Sequence, residues 1–466
     1  DPSVVKIGDR WWASATTSNW AQAFPLLSSE DLVHWQLQGH VFNQLPSWAD
    51  YYFWAPELSY DNGKVYVYYA AHKKGGNLCV GIASADKPEG PYTDHGPLIC
   101  QEAGSIDAFA MRNENGKLYL VWKEDANSVG KPTPIWAQPL NEERTALTGE
   151  RTELFRNTEP WEANLVEGVS MTKHGDYFYA FYAAAGCCGA ACSYGTGVAR
   201  SKSLLGPWEK YSKNPLLTGS QKWTCPGHGT PVEKDGRHYF LYHAYDRTSS
   251  VFTGREGLLI EYRFTPDGWI EFVKNEHAQD VVPAKKVVDE FDGNTLSKEW
   301  QWSVFQQPVA RLKNGELWLP SSDALSGTFL GRPTTSANYS VTVNVDVLRS
   351  TAASGVAAIG DENNIVYAAF QKGVVKVTQV KEGKEQVLIR KTVPKTNWLR
   401  LRMQVSNGKE IRFLYSKDGN AFISLTANAI DGGYLPPWDR AVRAGVVAKG
   451  ADGYNGVFQR FEMENR

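Results

Sequence analysis

Five times between residue 1 and about residue 285, a glycine-centred turn leads into a run where Val, Leu, Tyr, Phe and Trp crowd alternate positions. The runs are Trp11-Trp12 after Gly8, Val65 to Tyr69 after Gly63, Leu118 to Trp122 after Gly116, Tyr177 to Tyr182 after Gly175, and Tyr239 to Tyr242 after Gly236. Alternation of β-branched and aromatic residues between turns predicts strands. Asn62-Gly63, Asn115-Gly116 and Asp235-Gly236 predict tight hairpins with positive φ at the central residues. No long helical periodicity interrupts them. A unit of several strands that recurs after 50 to 60 residues predicts propeller blades, here a five-bladed β-propeller over residues 1–285.

The pattern then changes. Residues 286–466 read as many short alternating strands between Gly-rich turns, among them 339–347, 364–380, 398–406, 411–415, 444–448 and 457–463. That predicts an antiparallel β-sandwich, and an all-β chain of two domains. No cluster of acids and histidine recurs there at matched spacing, so its expected role is packing or carbohydrate contact.

In a propeller the first strand of each blade lines the central channel. Asp1, Asp107, Glu167 and His228 lie seven to nine positions before Gly8, Gly116, Gly175 and Gly236, which predicts one shared depth on the axis. In the second unit the matching place falls on Trp54. Taken singly, Asp1 before Pro2 reads as a turn residue and Asp107 as a capping or turn acid. Glu167 follows Leu165-Val166 within a strand, where an unpaired carboxylate is costly to bury. Together they suit hydrolysis of a glycosidic bond. That reaction needs a protonated carboxyl for the leaving oxygen and a carboxylate to activate water or attack the sugar. In this reading Asp107 raises the pKa of Glu167 by like charge.

Composition narrows the partners. A net charge of −2 with interspersed signs leaves no basic stripe, which argues against nucleic acid. No run of 18 apolar residues suggests a membrane span. Aromatics make up 12% of the chain, which fits both a β-rich core and stacking on sugar rings. The six cysteines, Cys79, Cys100, Cys187, Cys188, Cys192 and Cys225, lack paired C-x-x-C zinc spacing. They are either disulfide-bonded in an oxidising compartment or free and buried, and the adjacent Cys187-Cys188 either close a ring or pair elsewhere. The chain opens inside an expected strand, so upstream residues are expected to have been processed away or to lie outside this sequence.

The motifs Asp1-Pro2-Ser3-Val4, Trp54-Ala55-Pro56-Glu57, Gly104-Ser105-Ile106-Asp107, Glu167-Gly168 and Pro226-Gly227-His228-Gly229 resemble glycoside hydrolase family 43 across residues 1–285. Asp289-Glu290-Phe291-Asp292-Gly293 and Trp300-Gln301-Trp302 are similar to the concanavalin-like, jelly-roll sandwich that follows some members' catalytic domains. The resemblance implies an inverting enzyme acting on arabinofuranosides or β-xylosides, with Asp1 as general base, Asp107 as pKa modulator and Glu167 as general acid. It also implies a channel His228, which either contacts a calcium ion through water or helps hold the carboxylates, and an arginine, Arg255, which either reaches the pocket or makes only a surface salt bridge. No cofactor is required. Trp20, Phe24 and Trp54 are candidate walls for the first sugar or plain core. The insert 186–194 shapes the pocket or only staples a loop.

The expected activity is exo-removal of α-L-arabinofuranosyl units from plant cell-wall polysaccharide or oligosaccharide. A β-D-xylosidase, an exo-galactanase and a non-catalytic carbohydrate-binding propeller are the alternatives. The expected location is secreted, periplasmic or cell-surface, and the oligomeric state is left open.

Overall fold

The computed structural model describes residues 1–273 and 284–466. The chain divides into two compact units. The first holds Asp1–Arg247 and resumes at Glu256, and the second holds Thr248–Arg255 and the remainder of the chain to Arg466. Among the described residues there is no α-helix, and strands dominate both units.

Among the described residues the first unit holds five four-stranded antiparallel sheets that follow one another along the chain. Their first strands are β1 (Ser3–Ile7), β2 (Ala49–Asp61), β3 (Ser105–Arg112), β4 (Val166–His174) and β5 (Trp223–Lys234). Each pairs with the aromatic strand that follows its glycine turn. β1 neighbours β2, β2 neighbours β3, β3 neighbours β4, β4 neighbours β5, and β5 returns to β1, so the sheets close into a propeller-type ring. Between sheets the alternate aromatics interlock: Phe181 stacks on Phe240 with ring centroids 4.8 Å apart. Val4, Trp11 and Leu241 share a buried cluster that joins the first sheet to the last.

The hairpins at Asn62-Gly63 and Asp235-Gly236 have positive φ at both residues, as the dipeptides predict. At Asn115-Gly116 only the glycine does. There Arg112 pairs with Leu118, which leaves a longer loop in which Asn113 Oδ1 accepts from the backbone N–H groups of Asn115 and Lys117. The asparagine side chain at the loop's start takes over the role of a tighter turn.

The first strands are not regular. β2 to β5 each break register near the channel, between Trp54 and Glu57, between Ile106 and Phe109, between Glu167 and Ser170, and between Gly227 and Thr230. Each of these breaks contains a residue in the left-handed region: Ala55 (φ 45°), Asp107 (56°), Gly168 (61°) and His228 (40°). These β-bulges turn side chains that simple alternation would send elsewhere.

The second unit packs a large sheet, built around Tyr339–Asp346, Trp398–Ser406, Glu410–Ser416 and Asn455–Asn465, against a six-stranded one. Asp289 accepts hydrogen bonds from the Phe291 backbone and from Trp300 Nε1 (2.9 and 2.7 Å). The buried Phe291 and Trp300 anchor this start of the sandwich in the core. The expected single stretch 364–380 is a hairpin, Asn364–Gln371 and Val374–Lys381, because Lys372 and Gly373 adopt positive φ.

Candidate active site

The bulges of β3, β4 and β5 bring Asp107, Glu167 and His228 together, and Asp1, just before β1, joins them in one polar group from four sheets. His228 Nδ1 lies 3.5 Å from Asp1 Oδ1 and 3.9 Å from Asp107 Oδ2. The backbone N–H of Gly168 donates to Asp107 Oδ2 at 2.9 Å. A side chain at Gly168 is barred, since a Cβ there would stand 2.7 Å from the His228 ring.

Three further polar side chains complete the site, and none stood out in the sequence. Thr16 Oγ1 donates to Asp1 Oδ2 at 2.6 Å while accepting from the Ala55 N–H at 2.9 Å, which fixes the orientation of the Asp1 carboxylate. His243 Nδ1 lies 3.7 Å from Asp1 Oδ1. Lys123 is the third: its side chain is 1% exposed, and Nζ donates to Glu167 Oε2 at 2.6 Å and to Asp125 Oδ1 at 2.9 Å. The strand context Trp122-Lys123-Glu124 looks like an ordinary solvated strand end, and only the fold reveals that the lysine points inward.

Tyr194 OH donates to the other Glu167 oxygen, Oε1, at 2.8 Å. Tyr194 closes the insert 186–194, which carries a Cys187–Cys188 disulfide and is tied to β5 by Cys192–Cys225. Cys79–Cys100 is the third bridge, so all six cysteines are paired. The Tyr194 ring lies over Gly227, where a Cβ would meet it at 2.3 Å. The glycine of Pro226-Gly227-His228-Gly229 is therefore a space requirement of the tyrosine.

The two central carboxyls are pushed apart. Burial, and then the charge of Glu167, raise the Asp107 carboxyl to about 7, against the opposing pull of Lys123 and the Gly168 N–H. Burial also raises Glu167, but the Lys123 ammonium, the hydrogen bonds from Lys123 and Tyr194, and His228 together hold it below the ordinary range. The expectation is that like charge from Asp107 lifts Glu167; in this site the Glu167 charge raises Asp107, while Lys123 favours the ionised form of Glu167. In the second sheet, burial pushes the Glu57 carboxyl well above its usual range, with Thr230 Oγ1 at 3.4 Å.

The aromatic candidates separate by burial. Phe24 is fully buried among Phe42, Phe53 and Tyr69, and Trp20 is 2% exposed, so both are core and offer no ring face to a sugar. Trp54 is partly exposed, stacks on Tyr52 at 4.4 Å and donates from Nε1 to Ser18 Oγ at 3.1 Å, a rigid aromatic surface on β2. Arg255 opens the strand Arg255–Phe264 and groups with the second unit, whereas the other candidates group with the first. Among the described residues no three His, Cys, Asp or Glu side chains form a group that could hold a metal ion.

Known proteins share this architecture. A xylan 1,3-beta-xylosidase of a Vibrio species is 27% identical over 267 residues, covering 53% of this chain and 48% of its own length. The chain thus spans about half of that relative. The non-reducing end alpha-L-arabinofuranosidase BoGH43B of Bacteroides ovatus is 25% identical over 392 residues, covering 75% of this chain and 69% of its own. The crystal structure of the GH43 protein BlXynB from Bacillus licheniformis superposes with a TM-score of 0.84 at 24% identity, covering 100% of this chain and 98% of that one, which shows a shared fold. Residues 288–445 match the beta xylosidase C-terminal concanavalin A-like domain. Residues 1–270 match glycosyl hydrolases family 43, and with the carboxyl group and propeller-type ring described above, the chain belongs to that family.

Proposed function

We propose that the protein is an inverting, exo-acting glycosidase that removes α-L-arabinofuranosyl units from plant cell-wall polysaccharides or oligosaccharides. The observation that carries this reading is the meeting of Asp1, just before β1, with Asp107 of β3 and Glu167 of β4, and with His228 beside two of them. Asp1, oriented by Thr16, takes a proton from water as that water attacks the anomeric carbon. Glu167 in its protonated form donates to the leaving oxygen, and Asp107 sets the charge around it. Inversion calls for roughly 6.5–9.5 Å between base and acid. Trp54 offers a ring face to the sugar.

The arabinofuranosyl assignment is favoured by the arabinofuranosidase relative, whose similarity runs over three quarters of the chain. A β-D-xylosidase is the second reading, and the match of residues 288–445 to a beta xylosidase C-terminal domain favours it. The three disulfides support a location in an oxidising compartment, secreted, periplasmic or at the cell surface. A panel of aryl arabinofuranoside, xyloside and galactoside with wild type and Glu167→Gln tests the reading. Arabinofuranoside hydrolysis with a β-anomer formed first, seen by proton NMR, is expected. Retained configuration excludes the role of Asp1, and glycan binding without hydrolysis of any substrate makes the protein a lectin.

A further inference from the structure

A general acid must carry a proton when the leaving group departs, yet Glu167 faces a buried ammonium that favours its ionised form. The geometry around Lys123 offers a resolution. Lys123 lies between two carboxylates, Glu167 at 2.6 Å and Asp125 at 2.9 Å, and is the central cation of a buried triad with two anions. The triad therefore holds one negative charge too many. When Glu167 takes up a proton, the Lys123–Asp125 ion pair persists and the excess charge disappears. Lys123 without Asp125 would hold Glu167 ionised. The two carboxylates without Lys123 would repel each other in a poorly solvated site.

Resting on the acid role given to Glu167 above, we propose that Lys123 and Asp125 act together as positioning residues that hold the acid in place and set the pH at which it is loaded with its proton. Lys123 and Tyr194 each take one Glu167 oxygen, so the carboxyl group has a fixed plane before substrate arrives. Asp125, just past the strand Leu118–Glu124, is itself anchored where its backbone N–H donates to Gly104 O at 3.0 Å. The charged and titratable groups facing Glu167 are Lys123 and Asp125 from the third sheet, Tyr194 from the fourth sheet's insert, Asp107 from β3 and His228 from β5. Asp125 and Lys123 can each be altered without touching Asp1 or Glu167, the residues assigned to the proton transfers.

The test is the pH dependence of kcat/KM, which reports ionisations of the free enzyme. It is run on aryl glycosides with a poor leaving group (phenol) and an activated one (dinitrophenol). Lys123→Met should move the alkaline limb up by about one pH unit or more, because an opposite charge at this range shifts a carboxyl by that much. Asp125→Asn should move it down, since Lys123 then serves Glu167 alone. Lys123→Arg keeps the charge and should keep the limb near its wild-type position. The shifts should be plain with the phenyl glycoside and muted with the dinitrophenyl one, which needs little protonation. Limbs that stay put, or that move the same way in Lys123→Met and Asp125→Asn, overturn the proposal. Should Lys123→Met not fold, the direction of the Asp125→Asn shift decides. Glu167→Gln separates the acid role of Glu167 from the roles of Lys123 and Asp125. If it slows both leaving groups equally, the acid assignment fails. If it selectively slows the phenyl glycoside while the limbs stay fixed, the role of Lys123 and Asp125 alone fails.

Discussion

The backbone N–H of Gly168 donates to Asp107 Oδ2 at 2.9 Å, so the strand that carries one central carboxyl also holds the other. An amide oxygen can accept the same bond, which makes Asp107→Asn a clean removal of charge. The Asp107 carboxyl rises from 3.8 to about 7 on folding, so burial favours its neutral form. That contribution is present at low pH and is lost as pH climbs from about 4 through about 7. Asp107→Asn should therefore show a smaller fall in Tm than wild type between about pH 5 and pH 8, together with about a hundredfold loss of kcat/KM. Thermal unfolding across that range checks the first part. An unchanged pH dependence of Tm would contradict it.

Gly168→Ala should be far more damaging than alanine at a hairpin glycine. Its Cβ would lie 2.7 Å from His228 Cγ, and φ is +61°. At Gly116, with φ +80°, a methyl group would meet nothing within 4 Å, so alanine there faces only backbone strain of about 1 kcal/mol. Denaturant unfolding should rank Gly116→Ala well above Gly168→Ala in stability. Activity should fall only in the latter, where His228 is displaced.

Thr16→Val and Thr16→Ser should part company. Valine keeps the volume but removes the bond to Asp1 and leaves the Ala55 N–H without that acceptor. A hydrogen bond to a charged group is worth about 1.5–3 kcal/mol, which predicts a loss in kcat/KM of about ten- to a hundredfold. Serine should retain most of the wild-type value. Equal kinetics for the two variants would remove Thr16 from the site.

The disulfides should also differ in consequence. Cys79–Cys100 closes a loop of the second sheet, and its removal should cost about 2–4 kcal/mol with kcat/KM retained. Cys192–Cys225 ties the insert bearing Tyr194 to the strand bearing His228, so the Cys192→Ala/Cys225→Ala pair should lower both stability and kcat/KM. Calorimetry alongside steady-state kinetics distinguishes the two pairs.

The repeated sheets and the meeting of Asp1, Asp107, Glu167 and His228 were legible in the sequence, because hairpin turns and alternation leave a fixed spacing that survives into three dimensions. The residues it concealed share a physical reason. Lys123 alternates like a surface lysine, Thr16 lies between strands, and Tyr194 ends a cysteine-rich insert, so each acquires its partner only through contacts far along the chain. Phe24 shows the converse difficulty. An aromatic ring that would line a sugar pocket and one sealed in a core are the same letter, and at φ +62° Phe24 is turned into the core. In the second unit the Lys372-Gly373 turn is a short break, flanked at once by Phe370 and by Val374-Val375, within what reads as one stretch.

The left-handed residues at the channel constrain what this scaffold can become. Four neighbouring strands each present a backbone position that rejects β-branched and bulky side chains and is most readily filled by glycine, asparagine, aspartate or histidine. Mutation at those places draws on a short alphabet, weighted toward small polar groups. A lineage built on this ring would thus explore new specificities through its loops and inserts while the backbone itself keeps returning acids, amides and imidazoles to the axis.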